Sequence, residues 1–545
     1  MYKEKDLNKS WKWLLILATC AVLLPQLGII ELQNDEAIHG HLARGIQHNK
    51  NIFFPSYYGE TTSILPLYPA LIALFDLFLP TDIAVRIPSI IGMMMMIYIS
   101  AFMAYRHQTR LSAIVSGACM MSSLIAVNLA AKGSAHILGS AFIAVGWCLW
   151  FEFSRYEKNW RKAWLFACTF SLLAFFTFGF KGVLYFFLPI FFLRRPTDVR
   201  KRFLHPFFLG TFASMVLIII CYYILNHNIK ITNDIHSFSL INNEKFFSSV
   251  YFSNFLKFPI QALFYFLPWT FLSWPAFCEA FKAMEKDHVL FHVCRTLSFS
   301  LFILVWLLPG TQVEDLLPSL VPMSIMTGMH YQILVRRHHL VLKTLTSWIF
   351  KIVLTISISL IVFFLYNIKT LEKILIGKAF LIVNTALLVI SVLVCIFFIA
   401  KGKKYYPIWL RMIFASLCFQ WCLLSLKSVP NMQHTTKKRV GHKISIHIPE
   451  QIKEIYYHYP TVPLSQSHAQ LIYIDRMIIN IPNTLDEKIA PDQIYLISDQ
   501  HKPTTITKDP SFYIWKKLPK VSKNNDDIQY QVWQGTRRDK KKLIN

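Results

Sequence analysis

Two adjacent carboxylates, Asp35 and Glu36, stand in the first polar stretch after a hydrophobic run, Glu31 to Glu60. Carboxylates kept where a membrane helix meets water are expensive, so they point to a site. One of them can act as general base on an acceptor hydroxyl. Alternatively, the pair holds a divalent cation that neutralises a phosphate leaving group. His39 lies four residues beyond Asp35, so on a helix the two share a face, and Asp35, Glu36 and His39 form a candidate metal set. The structural alternative is capping by Asn34 or Asp35 of a helix that runs to about Gln47.

Other chemistry-bearing residues are scattered along the chain. Lys181 sits between two short apolar runs, where a charge is costly without a partner such as phosphate, unless it snorkels to the surface. Arg86 opens a helix and either binds phosphate or pairs with Asp82. Glu60 closes the first polar loop and is a further candidate. His41 and His48 read as solvated, and His236 and Glu244 in a second long polar loop are weaker ligand candidates.

The elements that must position these residues are membrane helices. Apolar runs fall at about 12–30, 84–105, 111–130, 135–154, 163–178, 180–193, 205–225, 259–282, 289–309, 316–333, 345–366, 378–400 and 407–428, thirteen in all. The N-terminus, with Lys3, Lys5 and Lys9 and no cleavage motif after the first run, is expected in the cytoplasm. Basic clusters at Arg106/His107/Arg110, Arg155–Lys162, Arg194–Arg202, Lys282–Lys286, Arg336–His339 and Lys401–Lys404 then all fall on that side. The pair 163–178 and 180–193 is short for a span, which needs roughly 20 residues. Ile64–Leu79, with Pro66 and Pro69, reads as an interfacial or re-entrant helix rather than a span.

This divides the chain into a transmembrane domain, 1–428, with outer loops 31–63 and 226–258, and an extracytoplasmic α/β domain, 429–545. The latter holds 18 Lys and Arg against 11 Asp and Glu, with β-like patches at Lys443–Ile448, Ala469–Ile474 and Gln493–Ile497. The expected class is an all-α polytopic membrane protein carrying that small domain.

Composition agrees. The 545 residues are 54% hydrophobic and 16% charged, where soluble domains average about 25% charged. The net charge of +26 follows from basic cytoplasmic loops and contact with anionic lipid, and no nucleic-acid motif accompanies it. The ten cysteines lie in or beside apolar runs, which argues against a disulfide framework.

The order of several motifs resembles the aminoarabinose-transferase-like and protein-O-mannosyltransferase-like membrane glycosyltransferases of the GT-C fold. The resemblance rests on Asn34-Asp35-Glu36-Ala37 with Leu42-Ala43-Arg44, on Tyr58-Gly59-Glu60 with Pro66-Leu67-Tyr68, and on Val85-Arg86-Ile87-Pro88-Ser89. It continues in Phe180-Lys181-Gly182 with Pro189, in Leu267-Pro268-Trp269, and in Leu316-Leu317-Pro318 with Pro322, covering about residues 12–330. Three departures stand out. No Lys precedes Pro66, Lys132-Gly133-Ser134-Ala135-His136 replaces a loop that often carries an Asp, and Thr311, Gln312 and Asp315 stand where a basic residue and a Tyr are usual. Lys132, Lys181 and His136 are the available replacements, with Arg86, for the donor-phosphate contacts.

What the resemblance implies is transfer of a hexosyl or pentosyl group from a polyprenyl-phosphate donor to a lipid, glycan or protein acceptor. The place would be the outer face of a bacterial inner membrane, in lipopolysaccharide or glycan modification, with Asp35 as base or metal ligand. The alternatives are a catalytically degenerate scaffold and a lipid or sugar transporter. A transporter should carry its polar residues at the bilayer midplane, whereas here they sit at the rim.

Overall fold

The computed structural model describes residues 11–193, 202–226, 249–278, 287–366, 378–401, 407–431 and 436–537, less 26, 29–30, 63, 268, 274–276, 309–310, 447, 450, 459–470, 475, 481–492, 499–512 and 519–530. His236 and Glu244 lie outside the described residues.

The chain folds as a polytopic helical membrane protein. Among the described residues eight helices are long and apolar enough to cross a bilayer, or nine if one pair bent by 57° counts as a single span. A short helix, α1 (Trp11–Leu23), precedes α2 (Asn34–Asn49), a two-stranded hairpin of β1 (Ser56–Tyr57) and β2 (Glu60–Thr61), α3 (Leu67–Phe75) and the single turn α4 (Thr81–Ala84). The bundle continues with α5 (Ile87–His107), the bent pair α6 (Arg110–Met121) and α7 (Leu124–Ala131), α8 (Ala135–Arg155), α9 (Trp160–Phe178), α10 (Phe180–Phe191) and α11 (Pro206–Asn226). Then come α12 (Ser249–Tyr265), the turn α13 (Thr270–Ser273), α14 (His288–Leu307), α15 (Leu317–Tyr366), α16 (Lys378–Ala400) and α17 (Ile408–Asn431).

Two expectations change. The first run, 12–30, is helical only over the 13 residues of α1, which stops two residues short of Pro25. The run 259–282 is not one helix: α12 begins ten residues earlier, and only the four-residue α13 follows it among the described residues. Pro259 is accommodated inside α12, whereas Pro268 follows its end in the sequence, and proline lacks the N–H that continues a helix. The runs 316–333 and 345–366 keep their separation, because α15 is two helices that meet at a kink at His338, between the runs. The nine residues of α3 span about 13 Å, far less than a bilayer's hydrocarbon core of roughly 30 Å.

Small residues set the approach of the central helices. A Cβ on Gly92 of α5 would lie 2.9 Å from the Leu138 Cα of α8, and one on Gly328 of α15 would lie 2.5 Å from the Ser112 carbonyl of α6. Backbones this close are how membrane helices gain dispersion contact without a hydrophobic driving force. The consequence for the site is that α5 and α8 begin together: the Ser89 hydroxyl donates to the Ser134 carbonyl at 2.8 Å.

The C-terminal region carries α18 (Thr436–Ile446) and a five-stranded mixed sheet in the order β4-β3-β5-β7-β6. Its strands are β3 (Glu454–His458), β4 (Met477–Asn480), β5 (Gln493–Ser498), β6 (Tyr513–Lys517) and β7 (Gln531–Arg537). β3 pairs parallel with β4 and β5, and β7 antiparallel with β5 and β6. The patch Gln493–Ile497 is a strand as expected, whereas Lys443–Ile446 closes α18 and Ile472–Ile474 is a 3-10 turn. The ten cysteines are unpaired.

Candidate active site

The site is built where five helices begin. Asp35 and Glu36 lie in the first turn of α2, where negative charge meets the positive end of the helix dipole. Neither Asn34 nor Asp35 is the cap. Gln33 is, and its N–H donates to Glu36 Oε2 at 2.6 Å. Asp35 is exposed and has no hydrogen bond or ion pair among the described residues.

Glu36 turns inward. It is 3% exposed and meets Arg86, 2% exposed, through a two-pronged contact: Nε to Oε1 at 2.9 Å and Nη2 to Oε2 at 3.2 Å. Arg86 also donates to the Glu31 carbonyl at 3.3 Å. Its partner is therefore Glu36 rather than Asp82, which pairs with Lys438 of α18. Gly133 closes the pair from below. Its φ is +65°, and a Cβ there would lie 3.2 Å from Arg86 Cγ and 3.3 Å from Glu36 Oε1. Lys132, just before it, is exposed at the end of α7.

One turn along α2, His39 stands edge-on to Tyr68 at 4.9 Å, and its Nδ1 is enclosed without a partner. Burial, then the neighbouring His136, lowers its pKa to about 4, so the ring is neutral at neutral pH. The Tyr68 hydroxyl contacts the Val85 carbonyl at 3.0 Å and Ser89 Oγ at 2.8 Å, tying α3 to α5. His41 is not solvated as expected, since it packs against Tyr57 and Tyr58, and His48 reaches Glu454 of β3 at 3.0 Å. Glu60 pairs through its backbone with Tyr57 in the hairpin.

A second cluster lies beside His39. Ser134 caps α8 by accepting the His136 N–H at 3.2 Å, which sets His136 in the first turn. Its Nδ1 lies 3.6 Å from Oδ1 of Asp315, a carboxylate 2% exposed. Lys181, in the first turn of α10 after the left-handed Gly179, lies 3.4 Å from Asp315 Oδ2. That same oxygen accepts the Gln312 N–H at 3.2 Å. Tyr185, one turn beyond Lys181, brings a buried hydroxyl toward Asp315 without making a hydrogen bond. Lys181 thus neither snorkels nor stands free. Asp315 and Tyr185 were not anticipated as site residues. The signal in the sequence was an acid immediately before an apolar run.

From Phe180 an apolar groove of 650 Å³ runs between α10 and α11, lined by Phe180, Val183, Met215, Ile219, Tyr223 and Ile224 among others. The C-terminal region grips the opposite side of the site. Tyr473 accepts the Leu32 N–H at 2.8 Å, and the Lys438 N–H donates to Glu31 Oε1 at 3.0 Å. Ile472 fills the space over Gly40 of α2, where a Cβ would lie 2.9 Å from it.

Among the described residues no three His, Cys, Asp or Glu gather as metal ligands. Both Glu36 oxygens are held by Arg86, so the set Asp35, Glu36 and His39 does not fit a metal ion in the predicted way.

No protein-family profile matches the sequence, and no curated protein matches it. Solved structures do. The crystal structure of ArnT from Cupriavidus metallidurans bound to undecaprenyl phosphate superposes with a TM-score of 0.67 at 12% identity, over 97% of this chain and 98% of that one. The same protein in its apo state gives 0.67 at 13% identity over the same shares. The oligosaccharyltransferase of Archaeoglobus fulgidus, in complex with Zn and sulfate, gives 0.45 at 10% identity over 90% of this chain and 68% of that one. From first described helix to last strand, this chain shares the fold of ArnT.

Proposed function

We propose that the chain is an integral-membrane glycosyltransferase that takes a sugar from a polyprenyl-phosphate donor. The observation that carries this reading is a layer of polar residues at one end of an ArnT-like bundle, beside an apolar groove that reaches their level. One similar structure is bound to undecaprenyl phosphate, and the groove between α10 and α11 suits an isoprenoid chain of that kind. The polar residues sit at the helix starts rather than mid-helix, which favours transfer at the membrane face over transport.

In this reading Asp35, exposed at the head of α2, accepts the proton of an acceptor hydroxyl. The acceptor oxygen attacks the anomeric carbon, the bond from that carbon to the phosphate oxygen breaks, and polyprenyl phosphate leaves. A single displacement inverts the anomeric centre. Lys181 and Lys132 supply positive charge to the leaving phosphate. Arg86 acts indirectly, by fixing Glu36 and so the turn that presents Asp35. A divalent ion, where one takes part, has Asp35 and the donor's own oxygens to bind, since Glu36 is committed.

The layer is assigned to the outer face of a bacterial inner membrane, with the C-terminal region beside it, because the described basic clusters at Arg106, Arg155 and Arg336–Arg337 lie at the other helix ends. The test is release of polyprenyl phosphate by the purified protein from a panel of polyprenyl-phosphate sugars. Release from at least one donor is expected; none from any would leave the degenerate scaffold reading in place.

A further inference from the structure

Asp315 is an enclosed carboxylate 3.4 Å from Lys181, the neighbour of Phe180 at the groove, and the mechanism above makes no use of it. Its loop anchors it, because the Gln312 N–H caps Oδ2. Both candidate phosphate contacts on that side, Lys181 and His136, lean on it from partly exposed positions, with side chains 20% and 34% exposed. Its Oδ1 has no hydrogen-bond donor, an expensive state for a carboxylate 2% exposed. The carboxylate therefore stands behind Lys181 and the His136 ring, and an arriving anion meets them from the front.

We propose that Asp315 is a built-in counter-charge that weakens the hold of Lys181 and His136 on the lipid phosphate and favours release of the product. This rests on the proposed reaction. The donor's phosphate is a diester and carries a single negative charge. The product is a monoester, with a charge of about −1.5 to −2 at neutral pH. A fixed carboxylate nearby repels the second nearly twice as strongly as the first. The site thus tells spent carrier from loaded donor by charge, without touching the sugar.

The experiment measures binding of undecaprenyl phosphate and of its methyl ester to the full chain in detergent. Asp315→Asn keeps the shape and still accepts the Gln312 N–H. It should tighten the monoester by about tenfold and the diester by only about threefold, because the logarithm of the effect scales with ligand charge. A residue that merely held the fold would weaken both on substitution. Unchanged or weaker binding, or an equal gain for both esters, overturns the proposal. Lys181→Met gives a second arm should Asp315→Asn not fold. It leaves the carboxylate uncompensated and should weaken the monoester more than the diester; an equal loss also overturns the proposal. Wild-type protein that binds neither ester would instead remove the lipid-phosphate reading itself.

Discussion

The two ends of α5 carry buried ion pairs that differ in how completely they are satisfied. At the far end, His107 lies between Asp287 and Glu152, with Nδ1 to Asp287 Oδ2 at 3.1 Å and Nε2 to Glu152 Oε2 at 3.3 Å. Glu152 also takes Arg106 at 3.1 Å, and the second oxygen of Asp287 caps α14 through the N–H groups of Val289 and Leu290. Burial alone would raise the Asp287 pKa, but hydrogen bonds from His107, Tyr156 and Leu290 hold it well below the usual carboxylate range. At the near end, about 30 Å away along 21 residues, the Glu36–Arg86 pair is equally complete, yet its surroundings are not. His39 Nδ1, His136 Nδ1, Asp315 Oδ1 and the Tyr185 hydroxyl are all enclosed and without a hydrogen bond. A saturated network fastens helices; an unsaturated one retains bonding capacity for something that arrives. Enclosed unpaired atoms also occur beside the far end, at Trp150 and Trp164, but those are neutral indoles packed on each other, whereas the near end gathers ionisable side chains.

The sharpest way to break it is at Asp35. Asp35→Asn should reduce sugar transfer on the order of 10² to 10⁴, while stability falls by no more than the lost helix-dipole contact, about 0.3–1 kcal/mol, because the side chain is exposed and unbonded. Equal turnover by parent and variant would end the base assignment. At the strap, His107→Phe leaves Glu152 and Asp287 without their common partner, which should cost about 3–5 kcal/mol while turnover per folded molecule stays constant. A large loss of turnover in protein that remains folded would mean the far end takes part in function.

The fold was the more legible half. A span must close its own backbone hydrogen bonds, so a long apolar run has few conformations open to it. That is why most of the expected runs reappear as helices within a few residues. The misreadings share a local cause. Ile444, Ile446 and Ile448 alternate as a strand would, but α18 buries Ile444 against the sheet and leaves Ile446 exposed. Asp35 stood out as a candidate because acidity beside a membrane run is a local anomaly. The Glu36–Arg86 pair, 50 residues apart, and Lys181–Asp315, 134 apart, did not, since nothing in either neighbourhood names its partner. What marks Asp315 is enclosure, and enclosure belongs to the packed bundle.

Acid should part the two ends next. His39 has a folded pKa of about 4, below its ordinary 6.5, so the unfolded chain takes up the proton first. Its contribution to stability is complete above pH 6.5 and is lost as the pH falls through 4. The depressed Asp287 acts in the same direction, but its contribution starts to fall only below the ordinary carboxylate range. Thermal melts between pH 7 and pH 4.5 should therefore show His39→Phe losing less stability than the parent. Parallel curves would remove His39 as the source.

The smallest expected effect compares two glycines. Gly133 has φ of +65° under the Glu36–Arg86 pair, where a Cβ would also press the Val85 carbonyl at 3.2 Å. An L-residue in that conformation costs roughly 1–2 kcal/mol, and the crowding falls on the guanidinium that fixes the Asp35 turn. Gly210 in α11 has nothing within 4 Å of its Cβ position. There alanine should stabilise by about 0.5–1 kcal/mol, by narrowing the conformations open to the unfolded chain. Gly133→Ala should lower both melting temperature and transfer rate, while Gly210→Ala raises the first slightly and leaves the second alone. Should Gly133→Ala melt lower yet transfer sugar at the parental rate, the ion pair would be only a second strap, and the site would begin at Asp35 and His39 rather than at Arg86.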